Sequence, residues 1–74
     1  MTYFDDTHLV SDTLDELHEF AQRNGLRREW FQYHADHPHY DITADWRKKI
    51  ALKLGAKKSR PREVLKISKK LVQK

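Results

Sequence analysis

The stretch YFDDTHLVSDTLDEL, residues 3–17, decides how the chain begins to fold. Tyr3 and Phe4 are aromatic strand formers, and Asp5-Asp6 is a polar break behind them. Thr13 precedes Glu16 by three positions, the spacing of a capping box. Leu14 and Leu17 open an apolar stripe that Phe20 and Ala21 continue at helical spacing. The stretch therefore reads as a short strand ended by Asp5-Asp6, then a helix over about 13–24. Gly25 suits the position after the last helical turn, and Leu26 can close back on that turn.

Trp30-Phe31-Gln32-Tyr33 is aromatic and bounded by charge, and reads as a second strand. It would lie parallel to the first, joined by a right-handed crossover through the first helix. Pro38 confines His37 to extended or turn geometry, and Tyr40-Asp41-Ile42 suits a third short strand. Thr43 is placed to cap a second helix, with Asp45 in its first turn. Trp46, Ile50, Ala51 and Leu54 would form its buried face, and Gly55 would end it. Ser59 is placed to cap a third helix that tolerates Pro61 in its first turn. Val64, Ile67 and Leu71 form its stripe, flanked by Leu65 and Val72. The expected class is α/β (α+β), a two- to three-stranded sheet with three helices in the order β-α-β-β-α-α. Residues 1–74 read as a single small domain.

Seventy-four residues provide one core of marginal size. There is no cysteine, which removes disulfides and thiolate metal sites and suits a reducing cytoplasm. No apolar run nears the roughly 20 residues that span a bilayer, and no signal-peptide pattern is read, so a cytoplasmic chain with no membrane partner is expected. The net charge of +4 conceals an asymmetry. Residues 1–46 carry −7, and residues 47–74 carry +11 with Glu63 as their one acid. An acidic α/β half thus precedes a basic helical half, and such a surface points to an anionic partner. The bland reading is that the basic helices neutralise the acidic half of the same molecule.

Several blocks form a recognisable series: Tyr3 to Asp6, Ser11 to His18, Gly25 to Arg28, Trp30-Phe31-Gln32, His39-Tyr40-Asp41-Ile42-Thr43, and Ala51 to Ala56. Over roughly residues 3–56 the chain resembles the DUF4031 family of small bacterial and phage proteins. The resemblance implies a small phage-type or accessory protein in a bacterial host cell, and no activity or residue role. The lysine-rich last third departs from the pattern.

Residues 34–43, HADHPHYDIT, concentrate three of the five histidines. His34, His37, His39 and Asp41 are donors of the right type for a metal ion, which needs three or four converging ligands. Asp5 and Asp6, at the end of the first strand, join His34 and His39 in a candidate quartet for metal-dependent hydrolysis. Against these stands a polar loop whose side chains bond to nearby backbone. In an extended segment His39 and Asp41 share one face and Tyr40 and Ile42 the other, with His39 expected outward.

The basic half carries Arg47, Lys48, Lys53, Lys57, Lys58, Arg60, Arg62 and Lys66. These are the expected contacts to nucleic acid, or to an acidic surface of a host machine such as RNA polymerase. Ala51-x-x-x-Gly55 has small-residue spacing seen in helix-turn-helix turns, but a tight turn would bury Pro61 inside the second helix. A plain helical hairpin is expected there. The leading expectation is a non-enzymatic binding protein with no cofactor. The alternative is a minimal metal-dependent hydrolase.

Overall fold

A computed structural model describes residues 1–33 and 38–71. Among them the chain forms β1 (Thr2–Phe4), β2 (His8–Ser11), α1 (Leu14–Arg23), a 3₁₀ turn (Arg28–Trp30), β3 (Tyr40–Asp41), α2 (Asp45–Lys53), β4 (Lys57–Lys58) and α3 (Pro61–Lys70). The fold is α+β, with a four-stranded mixed sheet in the order β3-β2-β1-β4. The strand count exceeds the two or three expected.

The first stretch folds as a hairpin. β1 and β2 pair antiparallel, with Phe4 opposite Leu9 and Thr2 opposite Ser11. Asp5 makes the turn. Its carboxylate Oδ1 accepts from the Thr7 N–H at 2.8 Å and the His8 N–H at 2.6 Å, while its own N–H donates to the His8 carbonyl at 3.0 Å. A side-chain acceptor that satisfies turn amides reverses the chain without left-handed backbone. The strand does not end in a crossover. The parallel partner of β1 is β4, in register Tyr3 to Lys57 and Phe4 to Lys58.

α1 begins as its sequence implies: Thr13 caps it by accepting the Glu16 N–H at 3.1 Å. The reciprocal half of the capping box is not made, because the Glu16 carboxylate meets the Met1 amino group. Gly25 takes φ 77°, its N–H donates to Gln22, and the Leu26 N–H donates to Ala21 at 2.9 Å. This pattern satisfies the last carbonyls of the helix.

Five local expectations fail in whole or in part. Residues 30–33 do not form a strand: Trp30 and Phe31 donate to the Arg27 and Arg28 carbonyls in a 3₁₀ turn, and Gln32 alone bridges to His39. Ala44, not Thr43, occupies the N-cap position of α2, and no side chain caps the helix there. Arg60, not Ser59, occupies the N-cap position of α3 without a side-chain cap bond, and Pro61 takes the first helical position, where its missing N–H costs nothing. Ser59 instead donates to the Phe4 carbonyl and extends the pairing of β4. The buried face assigned to α2 is also too wide: Ala51 is buried, Ile50 is half-buried, and Trp46 and Leu54 are exposed. On α3 it is Val64, Ser68 and Leu71 that are buried, while Leu65 is exposed. Val72 lies outside the described residues.

Strand alternation gives the sheet two faces. Phe4, Leu9, Tyr40 and Ile42 pack with Leu17, Ala21, Leu26, Ala51 and Ala56 on the α1 side. His8, Val10 and His39 face Val64, Leu65 and Ser68 of α3 on the other. β4 separates α2 from α3 and delivers α3 to that second face, so neither a helical hairpin nor a helix-turn-helix forms.

Candidate functional site

Four ionisable side chains meet on the α3 face because of strand register. β2 pairs with β3 so that His8 stands opposite Asp41. Asp5 sits across the hairpin turn from His8, and His39 precedes β3. The Asp5 Oδ2 lies 3.1 Å from the His8 Nδ1, which is also 2.9 Å from the Thr7 hydroxyl. The His39 Nε2 lies 3.3 Å from the Asp41 Oδ1. The two imidazoles stand edge to face with centroids 4.8 Å apart. Gln32 donates to the other Asp41 oxygen. Asp5 and His39 are buried, whereas the side chains of His8 and Asp41 are 41% and 51% exposed.

Burial alone would raise the Asp5 carboxyl. The Thr7 and His8 amides and the His8 ring outweigh it and hold the group below the ordinary carboxylate value. Asp5 is therefore a carboxylate at neutral pH. A cleft of about 220 Å³ opens beside the cluster, walled by Val10, Pro61, Val64 and Leu65. α3 is tied down there by Ser68, whose buried hydroxyl donates to the Pro38 carbonyl at 2.8 Å. A wider groove, about 900 Å³, runs past His18, Gln22, Arg28 and Tyr40 on the opposite side. Its histidine is already bonded to the Tyr40 hydroxyl at 2.8 Å.

Of the expected quartet, Asp5 and His39 come together, and Asp41 joins them. Asp6 does not: it is exposed and pairs with Lys58 at 3.1 Å. His34 and His37 lie outside the described residues. His39 is buried, not outward as expected, because α3 covers this face.

The expected cations distribute unevenly. Arg47 is half-buried. Its guanidinium donates to the Asn24 carbonyl at 2.9 Å and stacks on Trp46 and Trp30 at 4.4 and 5.6 Å, tying α2 to the end of α1. Lys48 is half-buried and Lys53 is exposed on α2. Lys57 and Lys58 on β4, and Arg60, Arg62 and Lys66 around α3, are exposed. Lys58 with Asp6 is the one ion pair that these five make among the described residues. Among the described residues, Lys58 with Asp6 is also the one ion pair that joins the basic segment to the acidic one.

The model of a family described as protein of unknown function, DUF4031, matches residues 5–71. The chain belongs to DUF4031. No curated protein and no solved structure gave a significant match. The DUF4031 match passes residue 56 and includes β4 and α3, so the lysine-rich segment is part of the family's domain. It also takes in His8, the residue of the cluster that sequence reading missed. The signal was present: His8 follows Asp5 by three positions, the offset of a side chain across a tight turn. Among the described residues, no helix is long and apolar enough to cross a membrane.

Proposed function

We propose that this DUF4031 chain is a non-enzymatic binding module that engages the phosphate backbone of nucleic acid through β4 and α3, in a regulatory role of the kind small phage proteins play in a host cell. The observation that carries the reading is the cationic strip of Lys57, Arg60, Arg62 and Lys66, exposed and without an acidic partner among the described residues. Unneutralised cations on one edge strand and the adjoining helix suit phosphates, whose condensed counterions they release. Lys58 contributes on exchanging Asp6 for a phosphate. Arg47 is set aside as a contact, because its guanidinium is engaged within the fold.

The test is binding of a tag-free sample to a fluorescent duplex and a single strand across a salt series. Affinity should fall steeply with salt. Lys57→Glu combined with Arg62→Glu should weaken binding at least tenfold at low salt and reduce the logarithmic salt slope by about 2. The fold should persist, since both side chains are exposed. Affinity within twofold of the parent would overturn the reading. No binding at low salt would also overturn it, and would turn the search to an acidic surface on a host protein such as RNA polymerase.

A further inference from the structure

The cluster under α3 is independent of that strip and has its own chemistry. His8, His39 and Asp41 each offer one ligand atom, and all three atoms lie within 4.8 Å of one another. Bonds of about 2.0–2.2 Å to a central ion place tetrahedral donors roughly 3.3–3.6 Å apart. Side-chain rotations of about an ångström therefore close the set. Two imidazoles and one carboxylate form a donor set for first-row transition ions, and not for calcium or magnesium, which take oxygen.

His8 and Asp41 are each held by a neighbouring side chain. Asp5 grips the His8 Nδ1 and leaves Nε2 to coordinate. Gln32 grips one Asp41 oxygen, and the other faces the His39 Nε2 at 3.3 Å. A buried carboxylate on the far nitrogen of a histidine is the arrangement that fixes a ligand's tautomer and raises its basicity. Local turn formation explains why Asp5 binds the Thr7 and His8 amides. It does not require His39 and Asp41 of one chain segment to converge with His8 of another beside a cleft.

We propose that His8, His39 and Asp41 form a binding site for one divalent transition ion of the zinc type, with Asp5 as the residue that positions His8. Three protein ligands would leave at least one coordination position open, and the cleft walled by Val10, Val64 and Leu65 adjoins His8 and His39. The partly exposed His8 and Asp41 side chains give the ion a path from solvent.

The test uses the full, tag-free chain after chelator treatment, with zinc added in a calorimetric titration and cobalt(II) as a spectroscopic stand-in. One ion per chain is expected, with visible cobalt bands of a four- or five-coordinate site. His8→Ala and Asp41→Asn, at partly exposed positions that leave the core intact, should each weaken zinc at least 100-fold while the circular dichroism spectrum is retained. Asp5→Asn should weaken it 10- to 100-fold and leave the cobalt bands in place, because the ligands remain. His18→Gln should bind as the parent does. Parental zinc affinity in both His8→Ala and Asp41→Asn would overturn the site. So would the absence of 1:1 binding, or loss of binding only when His34 and His37 are both replaced by Ala.

Discussion

The two faces of the sheet are made by alternate residues of the same short strands, yet they differ in kind. Towards α1 the strands present Phe4, Leu9, Tyr40 and Ile42, which join one apolar cluster. Towards α3 they present Asp5, His8, Val10 and His39 against Val64 and Ser68. Burying ionisable groups costs free energy unless each finds a partner, and a domain of this size has little stability to spare. The α1 face holds the fold together. The α3 face gives part of its buried area to ionisable groups.

The division has its largest consequence for core truncations. Leu17 is fully buried in the α1-side cluster, and Leu17→Ala should cost about 3–4 kcal/mol. That is enough to leave much of a marginal domain unfolded at 37 °C. Val64→Ala on the α3 side removes less volume beside an existing cleft and should cost about 1.5 kcal/mol. Urea denaturation of the two variants decides the point. Equal losses would mean that the α3 face carries as much of the core as the other.

A smaller effect separates the faces by pH. The Asp5 carboxyl is held below its ordinary value when folded. Its contribution to stability is complete above the ordinary carboxylate value and is lost as pH falls through the lowered folded value, where the unfolded chain already binds the proton. Asp5→Asn should cost about 1–3 kcal/mol at pH 7, since two amides and the His8 ring lose an ionised acceptor. The variant should also lose stability less steeply in acid. An unchanged acid limb would show that the Asp5 contacts add nothing to folding.

The sequence made some of this plain. The Thr13 cap, the α1 stripe and the Gly25 terminus are local devices, and each is found in place. So are the extended piece at Tyr40-Asp41 and the α+β class. The losses share one cause, namely knowledge of which face is covered. His8-Leu9-Val10-Ser11 lacks clean polar alternation because helices cover both sides of β2, and Asp5-Asp6 looks like a terminator although Asp5 shapes the turn. β4 is two exposed lysines, which carry no strand pattern; backbone pairing to β1 alone makes them one. Trp46 reads as core, yet it is exposed, as is Trp30, with Arg47 stacked against both. For the cluster, Asp5, His39 and Asp41 were legible as chemistry, while their convergence with His8 depended on a hairpin that only the register reveals.

The smallest expected effect concerns the histidine on the other face. His18 of α1 is half-buried, bonded to the Tyr40 hydroxyl and set edge-on to Phe31 at 4.6 Å. Burial lowers its proton affinity first and the nearby Arg28 lowers it further, with Asp15 opposing. Between the lowered folded value and the ordinary value of 6.5 the unfolded chain binds more protons than the folded one, so stability rises with pH through that window. His18→Gln keeps a polar partner for Tyr40 and cannot titrate. It should flatten the stability profile just below pH 6.5 by less than about 1 kcal/mol, because a half-buried group is partly screened by solvent. Thermal unfolding at closely spaced pH values measures this. If the slope survives in His18→Gln, His18 is not the group that titrates in this window.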